Sequence, residues 1–195
     1  MQPDQKLNLY SEILEDWQKT INLVSRTTLD NLWVRHFQDS LQLLKFIPDN
    51  AVTIVDIGSG GGFPGLVLAI KRPDCQFHLI ESDIRKCAFL KTVSRETFSE
   101  NVTVVNNRIE DAITDMKADI ITSRALGSLK YLLEVTNPVW MRNKNLMLIL
   151  LKGANYQSEV DEAENAFNFK IETFDSETHS EAKRLIVSNI ASFHG

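Results

Sequence analysis

A run of glycines between a β-rich segment and a helical one restricts the fold more than any other part of the chain. Residues 52–57 are rich in β-branched side chains, and five of the chain's 8 glycines lie between positions 58 and 65. Glycine permits positive φ angles and lets a ligand lie against the backbone. Ligands of open α/β sheets bind where the strands end. We therefore predict an α/β fold with a ligand pocket at the end of its first strand.

The rest of the chain alternates between short apolar runs and amphipathic stretches, as expected for a parallel sheet covered by helices. We predict a seven-stranded, mostly parallel sheet with helices on both faces and one antiparallel strand near an edge. The predicted strands are 52–57, 76–81, 101–106, 118–123, 145–151, 170–174 and 184–188. The predicted helices are 63–71, a segment around Ala88, Leu90 and Val93, 128–140 and 157–166.

The first fifty residues lack strand patterns and carry two apolar stripes with helical spacing. The stripes are Leu7, Tyr10, Leu14, Trp17 and Ile21, then Leu29, Trp33, Phe37, Leu41 and Leu44. We predict two helices here, as an N-terminal helical extension over 1–50. A length of 195 residues suits a single domain over 1–195 that includes this extension.

Composition argues against several classes of protein. No apolar run approaches the roughly 20 residues of a membrane span, and the N-terminus lacks a signal-peptide pattern, so we expect a cytoplasmic protein without a membrane partner. Cys75 and Cys87 have no metal-ligand spacing, so we expect no metal. The net charge of -5 disfavours a nucleic-acid partner over the whole surface, but not a local basic patch.

Two cofactors fit the glycine-rich segment. Gly60, Gly62 and Gly65 satisfy the dinucleotide fingerprint G-x-G-x-x-G, although any segment this rich in glycine will match it. S-adenosylmethionine is favoured by the looser turn after Gly58 and by Asp56. We expect the Asp56 carboxylate to hold the amino-acid part of that cofactor through its ammonium group or through water. The same carboxylate is unfavourable beside a diphosphate, and an NAD-dependent oxidoreductase is the alternative.

Acidic residues follow the next two predicted strands. Glu81 ends the second strand, where a carboxylate accepts hydrogen bonds from the ribose hydroxyls of either cofactor. Its alternative interpretation is a solvated charge. Glu110 follows the third strand, where an acidic group commonly approaches adenine in this kind of fold. Glu110 equally suits the first turn of a helix, where its charge complements the helix dipole, and both interpretations stay open.

Arg124 ends the fourth predicted strand, where a methyl acceptor usually meets its donor. Residues 122–125 contain neither the (Asp/Asn)-Pro-Pro-(Tyr/Phe) motif of many amino-methylating enzymes nor a nucleophilic cysteine. A buried arginine contacts a carboxylate or phosphate of a ligand, or forms a salt bridge inside the protein. We therefore assign no catalytic residue and take Arg124, His36 and Arg35 as candidates for positioning the substrate.

Basic residues of the N-terminal extension are candidates for RNA binding. Lys19, Arg26 and Arg35 would form a basic patch, with Arg35 contacting a phosphate or stacking on a base. Solvated surface charge is the alternative interpretation. His36 lies within the second apolar stripe, so it is either a partly buried histidine bonded to a neighbour or a group that reaches RNA.

Motifs along nearly the whole chain resemble those of the bacterial ribosomal small-subunit methyltransferase G family (RsmG), also called glucose-inhibited division protein B (GidB). A GFPG turn with an upstream RHxxDS and a downstream SRA is the specific part of this resemblance. The motifs are Trp17-x4-Asn22-Leu23-Val24-Ser25, Arg35-His36-x-x-Asp39-Ser40, the segment 56–65, Glu81-Ser82-x-x-Arg85-Lys86, Phe89-Leu90, Ser123-Arg124-Ala125 and Leu151-Lys152-Gly153.

The resemblance implies a class I S-adenosylmethionine-dependent methyltransferase fold and S-adenosylmethionine as methyl donor. It implies methylation of guanine N7 in the conserved decoding-centre loop of 16S rRNA, with 16S rRNA or the small ribosomal subunit as partner. Guanine N7 has a free lone pair, so catalysis would rest on proximity and electrostatics rather than on a general base. The cofactor contacts implied by the motifs are Gly58, Phe63, Glu81, Ser82, Asp83, Ile109, Glu110 and Arg124.

Other functions fit parts of the same pattern. A methyltransferase acting on another RNA, a protein or a small molecule would use the same fold. A non-catalytic RNA-binding factor would keep the fold and bind RNA without turnover. We expect the protein to be a monomer.

Overall fold

The computed structural model describes residues 1–193, and these contain the predicted seven-stranded sheet. Its strands are β1 (Thr53–Ile57), β2 (Gln76–Glu81), β3 (Val102–Asn106), β4 (Ile120–Arg124), β5 (Met147–Lys152), β6 (Phe167–Asp175) and β7 (Lys183–Ser192). The order across the sheet is β3-β2-β1-β4-β5-β7-β6. Neighbours from β3 to β5 pair in parallel, and β7 is antiparallel to both β5 and β6. The predicted sheet and its antiparallel strand are confirmed.

Helices cover both faces of this sheet. They are α1 (Pro3–Gln18), α2 (Asp39–Leu41), α3 (Gly65–Lys71), α4 (Ile84–Glu96), α5 (Ile109–Ala112), α6 (Leu129–Val135), α7 (Asn137–Arg142) and α8 (Tyr156–Glu164). One hydrophobic core includes α1, α3 and α4, and the other includes α6, α7 and α8. Successive residues of β1 alternate between them, with Ile54 in the first core and Val55 in the second.

The N-terminal extension is helical, but only its first part forms the predicted helix. α1 buries Leu7, Tyr10 and Leu14 of the first stripe. The second predicted helix is wrong as a continuous element: it is divided into a 3-10 turn (Arg26–Asn31), a π turn (Trp33–Gln38), α2 and a further 3-10 turn (Leu44–Phe46). Hydroxyl groups compete for backbone carbonyls along this segment, since Thr28 donates to the Ser25 carbonyl and Ser40 to the His36 carbonyl, and each carbonyl also accepts a backbone N–H.

Three other predicted elements differ clearly in their bounds: the helix 128–140 and the last two strands. The predicted helix 128–140 is divided into α6 and α7, because Pro138 has no N–H group with which to continue α6 and lies in the first turn of α7. β6 and β7 are longer than predicted. His194 and Gly195, the last residues of the predicted domain, lie outside the described residues.

The sheet order places a ligand site between β1 and β4. β1 pairs in parallel with β2 on one side and with β4 on the other. The chain therefore changes direction across the sheet at this point, where open α/β sheets bind ligands at the carboxyl ends of their strands. The glycine-rich segment follows β1 directly, and Arg124 is the last residue of β4. The fold thus brings the two predicted site segments to one edge.

Candidate active site

A cleft of about 450 Å³ opens at the carboxyl edge of the sheet. It lies between the glycine-rich segment, the end of β4, the N-terminal extension and the connection between β6 and β7. The sequence-predicted residues that line it are Gly58, Gly60, Phe63, Arg124, Arg35 and His36. A smaller cavity of about 280 Å³ lies at the amino edge of the sheet, beside Thr53 and Asp119. A shallow depression of about 570 Å³ on the outer side of α1 contains none of the predicted site residues. The cleft at the carboxyl edge is the candidate active site because the predicted residues line it.

Gly60 leaves open space on the cleft side of the glycine-rich segment. Its φ is +54°, and a Cβ atom added there would meet no heavy atom closer than the Gly58 carbonyl oxygen at 3.8 Å. The Gly60 N–H donates to Glu81 Oε2 at 2.9 Å. The backbone at Gly60 is thus fixed from one side and unoccupied on the other, which is the arrangement that a closely bound ligand requires.

Glu81 connects the ends of β1 and β2. Besides the Gly60 N–H, its carboxylate accepts the Asp83 N–H at Oε1, at 2.8 Å. The Asn106 amide donates to the carbonyls of Glu81 and Ser82, which holds the end of β3 against the same turn. Glu81 is buried and Ser82 is exposed. The carboxylate therefore lies at the border of the glycine-rich segment with its orientation fixed by two backbone N–H groups.

Ile109 and Glu110 lie on α5, after the end of β3, and do not line the cleft. Glu110 occupies the first turn of α5, and its Oε1 accepts the Tyr131 hydroxyl at 2.9 Å. Hydrogen bonds from the backbone and from Tyr131 hold the pKa of Glu110 below its usual value. The helix-start interpretation of Glu110 is confirmed, and its contact with adenine stays a prediction.

Asp56 lies beneath the glycine-rich segment rather than in the cleft. Its side chain is fully buried, and the Thr122 hydroxyl donates to Oδ1 at 2.8 Å. Within residues 1–193, Oδ2 has no hydrogen-bond partner. Burial raises the pKa of Asp56 to about 6. The expected direct contact with a ligand ammonium group does not fit this position, because the carboxylate has no access to the cleft.

Arg124 is held by three groups of the N-terminal extension. It donates to the Arg35 carbonyl at 3.1 Å and to His36 Nδ1 at 2.6 Å, and it lies 3.6 Å from Asp39 Oδ2. Because arginine can only donate, Nδ1 accepts and the His36 proton lies on Nε2, which donates to the Thr28 hydroxyl at 2.7 Å. Burial, with the nearby charges of Arg124 and Arg35, lowers the pKa of His36 to about 3. His36 is therefore a neutral histidine bonded to its neighbours.

Phe63 is the centre of an aromatic cluster that joins the glycine-rich segment to the N-terminal extension. Its ring centroid is 5.5 Å from that of Tyr10 and 5.2 Å from that of Phe37. The Arg124 guanidinium carbon lies 5.0 Å from the Phe63 centroid, within cation–π range. The Tyr10 hydroxyl donates to the Gly61 carbonyl. Tyr10, predicted only as a core residue, thus also fixes the shape of the segment.

The far wall of the cleft comes from residues that sequence analysis missed. Thr178 and His179, between β6 and β7, line the cleft, and the Thr178 hydroxyl donates to Asp39 Oδ1 at 2.6 Å. Asp39 and Thr178 are 139 positions apart in the chain. No pattern in the sequence links them. The one sequence feature that pointed to this wall is the presence of Asp39 in the RHxxDS motif.

Of the four predicted RNA-binding residues, two line the cleft and two lie outside its lining. Arg35 and His36 line the cleft. Arg26 is exposed beside Ser25, which also lines the cleft. Lys19 is exposed and forms a 2.7 Å ion pair with Asp16. Within residues 1–193 the Arg35 guanidinium has no hydrogen-bond or ion-pair partner, so it is available to a ligand.

Comparison with known proteins identifies the family. Residues 3–187 match the family described as rRNA small subunit methyltransferase G. The chain belongs to this family. It is 38% identical over 186 residues to ribosomal RNA small subunit methyltransferase G of Rickettsia bellii, with 95% of this chain and 93% of that protein covered. Its identity to the protein of the same name from Rickettsia rickettsii is 40%, with 95% and 94% covered.

Solved structures confirm the class I methyltransferase fold. The ribosomal protein L11 methylase of Lactobacillus delbrueckii subsp. bulgaricus superimposes with a TM-score of 0.63 at 14% identity, over 80% of this chain and 78% of that one. A variant of MtNAS in complex with S-adenosylmethionine gives a TM-score of 0.62 at 15% identity, over 95% and 75%. At such identities the likeness concerns the fold alone.

Residues 1–193 contain neither a membrane-spanning helix nor a cluster of metal ligands. No helix there is both long and apolar enough to cross a membrane. No group of three or more His, Cys, Asp or Glu side chains there has an arrangement that could hold a metal ion.

Proposed function

We propose that this chain methylates guanine N7 in the decoding-centre loop of 16S rRNA, with S-adenosylmethionine as methyl donor. Its family consists of rRNA methyltransferases of the small subunit. The main structural support for this proposal is the cleft. The open side of Gly60 forms one part of its lining, and Arg124 and the unpaired Arg35 guanidinium form another.

The residues of the cleft border suit S-adenosylmethionine. The open space at Gly60 admits a ligand against the backbone, and the Glu81 carboxylate at its border suits ribose hydroxyls. When bound, the cofactor supplies a methyl group on a positively charged sulfur. The residues proposed to hold it are Gly58, Gly60, Phe63, Glu81, Ser82, Asp83, Ile109, Glu110 and Arg124. We assign Asp56 to supporting the segment from below.

Methylation at guanine N7 suits the titratable groups of the cleft. N7 presents a lone pair, so no group has to remove a proton before attack. Both ring nitrogens of His36 are already bonded to Arg124 and Thr28, and His36 is therefore not available as a base. The remaining task of the protein is to hold the two reactants close together and in line, and to exclude water.

The substrate side of the cleft is the part that faces the N-terminal extension. Arg35 has no internal partner, and an arginine pairs with phosphate or stacks on a base. Arg124, tied to His36 and Asp39, acts as a fixed cation that orients whatever enters. We place Lys19 and Arg26 at the margin of the same RNA surface. We further propose that residues 1–195 act as one domain and as a cytoplasmic monomer.

Transfer of a labelled methyl group tests this proposal. Purified protein is incubated with methyl-labelled S-adenosylmethionine and, separately, with small ribosomal subunits, protein-free 16S rRNA, ribosomal proteins and a metabolite pool. Label in 16S rRNA is the expected result. Label only in protein or metabolites would overturn the substrate assignment, and RNA binding without turnover would indicate a non-catalytic factor. Thermal protection by NADH but not by S-adenosylmethionine would indicate an oxidoreductase.

A further inference from the structure

The charge of this acidic protein is unevenly distributed between two helices on opposite faces of the sheet. α4 contains Arg85, Lys86, Lys91 and Arg95 against a single acid, Glu96, although the whole chain has a net charge of -5. α8 contains four acids, Glu159, Asp161, Glu162 and Glu164, and no basic residue. α4 packs in the core that includes α1, and α8 packs in the other core. A polyanion would therefore be attracted to the α4 side and repelled from the α8 side.

The basic residues of α4 lie on its solvent face. Arg85, Lys91 and Arg95 are exposed, as is Ala88 between them, whereas Cys87, Phe89, Leu90 and Val93 are buried. The ten helical steps from Arg85 to Arg95 span about 15 Å along the helix axis. The short side chain of Ala88 leaves the middle of this face accessible. We call Arg85, Lys91 and Arg95 the α4 basic face.

The ion pairs that these residues form within the protein leave their charges available to a ligand. Arg85 is 3.4 Å from Asp83, and Arg95 is 2.8 Å from its neighbour Glu96, but both arginine side chains are about 70% exposed. Such solvent-exposed pairs are weak and exchange readily. Lys91 has no hydrogen-bond or ion-pair partner within residues 1–193.

The start of α4 is connected to the glycine-rich segment. α4 begins directly after Asp83, whose N–H is bound by Glu81 at the border of the glycine-rich segment. α1 runs antiparallel to α4, because Lys6 donates to the Phe98 carbonyl at one end and the Trp17 and Phe89 rings are 5.7 Å apart towards the other. The end of α1 that precedes Lys19 therefore points towards the start of α4, which is the end of α4 that lies nearer the glycine-rich segment.

We propose that the α4 basic face binds the phosphate backbone of rRNA outside the methylated loop. A row of separated cations about 15 Å long matches a chain of phosphates better than a single small anion. This inference rests on the proposed function, since it takes rRNA as the substrate. It assigns to α4 a task that the cleft residues do not perform: holding RNA that flanks the target without touching the reacting base.

Charge-neutral variants test the inference. The triple variant Arg85→Gln/Lys91→Gln/Arg95→Gln keeps good helix-forming residues while removing the three cations. The matched control, Lys117→Gln/Lys144→Gln/Lys170→Gln, makes the same change in net charge at exposed positions before β4, before β5 and within β6. Binding to protein-free 16S rRNA and to small subunits is measured over a salt series. Methyl transfer to a short hairpin containing only the decoding-centre loop is measured in parallel.

The α4 variant should lower the slope of log K against log salt by about 2–3, at roughly 0.7–0.9 for each phosphate contact. Its loss of affinity between about 50 and about 200 mM salt should then be about 20- to 40-fold smaller than that of the unmodified protein. The control should retain the full slope, and transfer to the short hairpin should be unchanged in both. Equal slopes for the α4 variant and the control would overturn the inference.

Two other results distinguish a failure of this inference from a failure of the proposed function. Weaker binding of the α4 variant to assembled subunits, with unchanged binding to protein-free rRNA, would identify a ribosomal protein as the partner and overturn the RNA inference. Failure of the unmodified protein to methylate any rRNA would instead refute the proposed function. The salt slopes are measured without turnover, so the two failures are distinguishable.

Discussion

Substitution of Gly60 tests whether the open side of the glycine-rich segment is where S-adenosylmethionine lies. Gly60→Ala should cost about 1–2 kcal/mol of stability, because a side chain at a φ of +54° is in the left-handed region. No steric clash adds to this cost, since the nearest atom to the new Cβ is 3.8 Å away. Gly60→Asn should cost less, because asparagine tolerates this backbone conformation.

Both variants place atoms in the space assigned to the ligand, so both should lose at least tenfold in S-adenosylmethionine affinity, about 1.4 kcal/mol or more. Calorimetric titration measures the affinity, and thermal unfolding with circular dichroism measures the fold. Asn189→Ala is the control, because it also places alanine at a φ of +54° but lies in β7, outside the residues that line the cleft. A Gly60→Asn variant with native stability and an affinity within about threefold of the unmodified protein would refute this reasoning.

Three further substitutions test other parts of the site. Glu81→Gln leaves the N–H groups of Gly60 and Asp83 with one acceptor oxygen between them. It should weaken S-adenosylmethionine binding by about 1–3 kcal/mol in calorimetry. An equal loss of affinity for an analogue without ribose hydroxyls would show that Glu81 acts only through the backbone. Arg35→Ala should lower the salt slope of RNA binding by about 0.7–0.9 without changing cofactor affinity, and an unchanged slope would remove Arg35 from the RNA interface. Burial raises the pKa of Asp56 from 3.8 to about 6 in the folded protein, so its stabilising contribution is complete below about pH 4 and is lost as the pH rises through about 6. Relative to Asp56→Asn, the unmodified protein should therefore lose about 2 kcal/mol between about pH 4 and about pH 7 in urea unfolding, and a constant difference between the two would contradict the buried titration.

The sheet was predictable because its signals are local. Each strand is a short apolar run between polar turns, and the continuous run at 145–151 corresponds to β5, which is buried on both faces. Glycines at positions 58–65 made the first turn identifiable as a binding segment. The family and its activity came from motifs spread over nearly the whole chain rather than from periodicity.

The N-terminal extension was only partly predictable, because apolar spacing does not report hydrogen bonds made by side chains. The stripe from Leu29 to Leu44 has helical spacing, yet hydroxyls at Thr28 and Ser40 bind backbone carbonyls and accompany changes of helical pitch. The burial of Asp56 could not be predicted for a related reason. A carboxylate beside a glycine-rich turn suggested a ligand contact, whereas Thr122, 66 positions away, occupies one of its oxygens in the core.

The wall formed by Thr178 and His179 depends on contacts between distant segments. Asp39 holds Thr178 through one hydrogen bond, and Gln42 accepts the Glu177 N–H at 2.9 Å. These contacts follow from the position of β7 between β5 and β6, which brings the connection at 176–182 over the cleft. Sequence patterns predicted both strands but contained no information on where their connection would lie.

Chemical mapping of the methylated base tests the central claim most directly. Methylation at guanine N7 gives the base a positive charge and makes the nucleotide sensitive to borohydride reduction followed by aniline cleavage. Small subunits lacking the modification are incubated with S-adenosylmethionine and the protein, and their 16S rRNA is then treated and mapped by primer extension. The account predicts cleavage at one guanine of the decoding-centre loop, only when active protein and cofactor are both present. Incorporation of methyl label into 16S rRNA without such cleavage would contradict it.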